Sequence, residues 1–114
     1  MPTDPSQDDR DKAILALTQQ RTDQLESQAA IPGKQGSNEE KNLAAADIQA
    51  NISYLDQRID DIQAHGAFSP PSHEDIAALH AASTAVADAV ANAALVSEVV
   101  AAATESMNAY NSEA

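Results

Sequence analysis

Ala45, Ile48, Ile52, Leu55, Ile59 and Ile62 recur at spacings of 3, 4, 3, 4 and 3 residues. Strand side chains alternate with period two, so no strand can gather this set on one face. An α-helix does, and the set forms an apolar seam of the coiled-coil kind. Ser37 opens the segment with Glu40 three residues on, the pattern of a capping box. His65-Gly66 closes it, with the glycine expected in the left-handed position after the cap. The spacing predicts a helix over 37–65, about 42 Å long at 1.5 Å per residue. A seam of this length needs other elements of the chain to cover it.

Only two tyrosines and one phenylalanine are present, against an excess of alanine and other good helix formers. A first helix is expected over 8–30, with Ile14, Leu15, Leu17 and Leu25 as a thin apolar stripe interrupted by Arg21. The stretch IPGKQGS is a loop, because proline and glycine end helices. After AFSPPSHED, either Ser69 caps with Pro70 at the first position, or Ser72 caps with Asp75 at the third. Nothing then breaks a helix before Tyr110, so one helix of about 57 Å is expected over 72–110. The expected fold is all-α: a three-helix antiparallel bundle with a long alanine-rich C-terminal helix, the second and third helices being neighbours. Residues 1–7 are expected to be a flexible N-terminal tail, 8–110 a single helical domain, and 111–114 a flexible C-terminus.

Residues 81–103, AASTAVADAVANAALVSEVVAAA, hold no lysine, arginine, glycine or proline. A membrane span is rejected, because Asp88, Asn92 and Glu98 lie inside the window and alanine contributes little to insertion. A helix lying on a membrane surface needs a basic polar face, which is missing. On a continuous helix, Val96, Val100 and Met107 fall on one broad side, while Leu95 and Val99 fall on the otherwise polar one. An apolar surface on both sides implies cover on both. Leu95, Val96, Val99, Val100 and Met107 are therefore the expected protein-binding residues, covered by another protein or a second copy. On that expectation, replacing Leu95 and Val99 with glutamate abolishes association and leaves a folded monomer.

The chain carries 18 acidic and 6 basic residues, a net charge of -12. All the basic residues lie in the first 58 positions; from Ile59 onward there are eight acids and neither lysine nor arginine. Such a surface repels nucleic-acid phosphates and anionic lipid and attracts basic protein surfaces. No nucleic acid is expected as partner, and no membrane insertion. Cysteine is absent, which excludes disulfides and thiolate metal sites. The start MPTDPSQDDRDK lacks the apolar region of a secretory signal, so the expected location is cytoplasmic; export without a cleavable signal leaves no such mark.

No catalytic or cofactor chemistry is expected. His73 and His80 are seven residues apart, and Ile76 and Ala77 stand where a second metal ligand would be. Ser83, Ser97 and Thr104 are expected to hydrogen-bond to carbonyls in their own helix, with no histidine near Ser97 or Thr104 to activate them. The sequon Asn51-Ile52-Ser53 lies in the seam of a strong helix and reads as accidental. The expected function is a small acidic protein-binding module of the inhibitor, immunity or chaperone type, not an enzyme, that docks on a basic or apolar partner surface. The alternative is a structural protein whose self-assembled oligomer is the functional unit.

Overall fold

Residues 6–114 are described by a computed structural model, in which four α-helices pack together and no strand forms among the described residues. α1 (Gln7–Ala30) starts where the Ser6 side chain accepts the Asp9 N–H. Ser6 and Gln7 thus belong to the helix start rather than to the expected tail, whose residues 1–5 lie outside the described ones. A single 3-10 turn at Ile31–Gly33 leads to α2 (Asn38–Gln63). Ser37 caps α2 by accepting the Glu40 N–H. After the corner comes α3 (His73–Asn92), whose Ser72 and Asp75 form the full reciprocal capping box.

The expected single C-terminal helix is two. Helix stops at Asn92, Ala93 and Leu95 are extended, and α4 (Val96–Ala109) runs back along the bundle. No helix-breaking residue marks the interruption. Its backbone groups are satisfied from a distant loop: Gln35 N–H donates to the Ala94 carbonyl at 2.8 Å, and Val96 N–H donates to the Gln35 carbonyl at 3.0 Å. Lys34 Nζ adds a bond to the Val90 carbonyl in the last turn of α3, where a cation suits the helix dipole. A straight helix would carry Val96 and Val99 past the bundle uncovered. The reversal buries them against Ile31, Ala44, Ile48 and Ile52.

The packing order also differs from expectation. Helix α1, not α2, is the hub: it packs on α2, α3 and α4, whereas α2 and α3 make little contact. Pairings Arg21–Asp56, Gln24–Asn51 and Gln28–Ala45 show α1 and α2 antiparallel. Gln20 meets Tyr110 and Gln24 meets Ala103, so α4 also opposes α1, and α3 runs alongside α1 in the same direction. The seam of α2 is the buried line predicted for it, with Ile48, Ile52, Leu55 and Ile62 inside and Ala45 and Ile59 at its edge. It spans two apolar clusters. One gathers Ala13, Leu17, Leu55, Ile62, Phe68 and Leu79 near the corner, and the other gathers Ile31, Ile48, Ile52, Val96 and Val99 near the interruption.

Of the expected stripe on α1, Leu17 is buried and Ile14 packs against the corner cluster, but between the clusters the helix buries polar residues instead. Gln20, Asp23, Gln24 and Ser27 are inside, while Leu15 and Leu25 are exposed. Gln20 Nε2 donates to the Ser106 and Tyr110 carbonyls at 2.8 and 3.1 Å, and Gln24 Nε2 to the Ala103 carbonyl at 2.9 Å. The hydroxyls of Ser83 and Ser106 donate to Asp23 Oδ2 at 2.7 and 2.8 Å. Ser83 therefore bonds across helices rather than to its own, whereas Thr104 bonds the Val100 carbonyl as expected. A buried polar group left without its partner costs about 1–3 kcal/mol. The layer thus favours one register of α4 and α3 on α1.

The expectation for the end of α2 shifts by one residue. His65, not Gly66, holds the left-handed conformation, at φ 65°. Gly66 N–H donates to the Asp61 carbonyl at 2.7 Å and His65 N–H to the Ile62 carbonyl at 3.0 Å, the paired bonds of a Schellman ending. Gly66 is needed for closeness: a Cβ there would sit 2.7 Å from the Asp61 carbonyl oxygen. His65→Gly should therefore stabilise the fold by about 0.5–1 kcal/mol, and Gly66→Ala should lower its melting temperature. Thermal unfolding followed by circular dichroism checks both, and a lower midpoint for His65→Gly would refute the assignment of strain.

The C-terminal residues expected to be free are tied down in part. Ser112 is buried, and Arg58 donates to its hydroxyl at 2.8 Å and its carbonyl at 3.2 Å. The Ser112 carbonyl also accepts the Ser69 N–H, and Tyr110 donates its hydroxyl to the Ser69 carbonyl at 2.6 Å. Burial first, and the Asp75 carboxylate second, push the Tyr110 phenol up to about 12. Its proton, and the bond it makes, are held well into alkali.

Candidate protein-binding face

The five residues expected to form an interface are not brought together on one surface. Val96 and Val99 are interior, at 1% and 0% exposure. Val100 and Met107 are half-buried, the first against the cluster near the interruption and the second against the cluster near the corner. Leu95 alone is open, 42% exposed beside the interruption. This placement follows from the reversal after Asn92. Once α4 folds back, the side of Val99 faces α2 rather than solvent.

The surface that stays open is on α3. Only Leu79, Ala82 and Val86 of this helix are buried, and grooves flank it on both sides. The groove between α3 and α4 has a volume of about 600 Å³. Asp88, Glu98 and Glu105 line it, with Asn92, Thr104 and Asn108 among them, over a floor of alanines. The small floor residues let the two backbones approach closely, so the acids stand as walls around a shallow trough. No lysine or arginine belongs to either helix, so no cation on them neutralises these carboxylates.

The groove between α1 and α3 is of similar size, about 580 Å³, and its character is apolar. Leu15 projects from α1 at 71% exposure and Ile76 from α3 at 47%, with Ala16 and Leu79 between them. Lys12 is held 3.3 Å from Asp8 on the rim of the same groove. Leu15 was expected in the core; its exposure follows from the polar layer, which turns the Gln20–Gln24 side of α1 inward. A heptad-like run of Ala13, Ala16, Leu17, Gln20, Gln24 and Ser27 marks that inward side. Polar members hide it from any count of hydrophobic residues.

His73 and His80 are both exposed, and no group of three histidine or acidic residues among the described residues is placed to hold a metal ion. Asn51, the sequon residue, donates its carboxamide to Gln24 Oε1 at 3.1 Å, so its side chain is engaged within the bundle. No helix among the described residues is long and apolar enough to cross a membrane. Comparison with protein-family models, curated proteins and solved structures returned no match.

Proposed function

We propose that this chain is a small acidic protein-binding module, which holds a basic partner on the face built around α3. One observation carries the reading. An acidic trough and an apolar groove lie side by side along a helix that buries only three of its own side chains. Carboxylates steer a basic partner and set its orientation, while apolar side chains supply the desolvated contacts that hold it. Blocking or chaperoning a target is what such a surface can accomplish, since it offers recognition without a reacting group.

The test uses Asp88→Lys with Glu105→Lys. Both acids are exposed and line the trough, and neither substitution puts a cation in the first turn of α4. Glu98 is left in place because it suits the N-terminal dipole of α4. Wild-type protein is expected to retain a partner from its host's extract, with retention falling as salt is added, and the charge-reversed variant to lose it. Equal retention by the variant would sink the reading. Salt-resistant homo-oligomers in sedimentation, with no partner bound, would favour self-assembly instead.

A further inference from the structure

We propose that the α1–α3 groove receives the apolar face of an amphipathic α-helix whose polar flanks are basic, presented by a partner protein. The proposal rests on the protein-binding reading and names which groove takes the partner's apolar residues and in what form. Leu15 and Ile76 are two of the most exposed large aliphatic side chains in the fold, and they flank the same slot. Their burial is not achieved by any element of this chain among the described residues. The lining runs from Lys12 to Gln19 on α1 and from Ile76 to Ala87 on α3, about 10 and 16 Å along the two axes. That length matches two to three turns of a docked helix, which presents anchors at i, i+3 or i+4, and i+7.

The charge around the slot selects the occupant. Asp8 and Asp11 lie one turn from Lys12 and Leu15 on α1, and Asp88 lies one turn from Thr84 on α3. Lys12 is already paired with Asp8, and α3 adds no lysine or arginine. No acid lines the slot itself, whose titratable groups are Lys12, paired with Asp8, and His80. Asp11 and Asp88 stand one turn beyond its lining, so lysine and arginine belong on the parts of a docked helix that reach them. A second copy of this chain fits poorly, because it brings a net charge of -12 to a surface of the same sign. An anionic membrane is disfavoured for the same reason.

The probe is a synthetic helix-forming peptide with a leucine stripe and lysine flanks, compared with one carrying glutamate in place of lysine. Binding is measured by fluorescence anisotropy against wild type, Leu15→Gln/Ile76→Gln, and Leu43→Gln as a control for an exposed leucine elsewhere. Wild type should bind the lysine peptide. The double variant should bind about tenfold more weakly or worse, while Leu43→Gln stays within about twofold. Chemical-shift changes on the wild-type protein should centre on Leu15, Ala16, Leu79 and Ala87, a readout that does not depend on any variant folding. Undiminished binding by the double variant, shift changes elsewhere, or equal binding of the glutamate peptide would each overturn the proposal. So would concentration-dependent dimers that the double variant abolishes, since the groove would then hold a second copy. Binding lost only on Asp88→Lys with Glu105→Lys would reject the groove while leaving the acidic module intact.

Discussion

Val99→Glu is expected to unfold the protein. Val99 is fully buried in the cluster formed with Ile31, Ala44, Ile48, Ile52, Val96 and Ala103. No basic side chain belongs to that cluster. A carboxylate placed there loses its hydration without a partner, a cost of several kcal/mol that rivals the whole stability of a small domain. Leu95→Glu, four residues earlier and 42% exposed, should change stability by about 0.5 kcal/mol or less. Circular dichroism and a urea titration of the two single variants separate them. The folded, dissociated monomer expected from a continuous helix for the double replacement is thus replaced by loss of fold. A helical, cooperative Val99→Glu protein would mean that α4 does not pack back on α2.

The second large effect concerns the seam. Ile48 and Ile62 are at 1% and 0% exposure and belong to different clusters, some 21 Å apart along α2. Ile48→Ala and Ile62→Ala should each cost about 2–5 kcal/mol, the range for emptying a packed aliphatic site. The gentler Ile48→Val and Ile62→Val should each cost about 0.5–1.5 kcal/mol. Because the two sites share no partner, the double valine variant should show the sum to within about 0.5 kcal/mol. Urea midpoints at unchanged slope measure all of these. Strong non-additivity would show that the polar layer couples the clusters instead of separating them.

That layer explains why α1 was the least legible part of the chain. Periodicity in hydrophobicity finds a buried face only when the face is hydrophobic. Here Gln20, Asp23, Gln24 and Ser27 occupy it, and what makes them tolerable is a set of carbonyls and hydroxyls on α4 and α3. Leu15 and Leu25 consequently looked like core and are surface. The candidate face was half legible. Its charge could be read from the absence of lysine and arginine after Arg58, and its alanine floor from composition. The apolar groove could not, since it exists only because α3 lies beside α1 rather than beside α2.

The amino-acid sequence by itself determined everything that one or two helical turns can decide. The all-helical class, the buried line of α2, the Ser37 start, the two candidate starts at Ser69 and Ser72 and the acidic surface all come from neighbours within a few positions. Tertiary structure decided the rest. The stretch Ala93-Ala94-Leu95 has no local reason to leave the helix, and the extended form wins because Gln35 satisfies the Ala94 and Val96 backbone groups while Val96 and Val99 reach an apolar cluster. Both gains depend on residues far away in the chain, so no local pattern records them. With that reversal, Val96 and Val99, expected to meet a partner, fill the protein's own interior, and the open surface passes to α3.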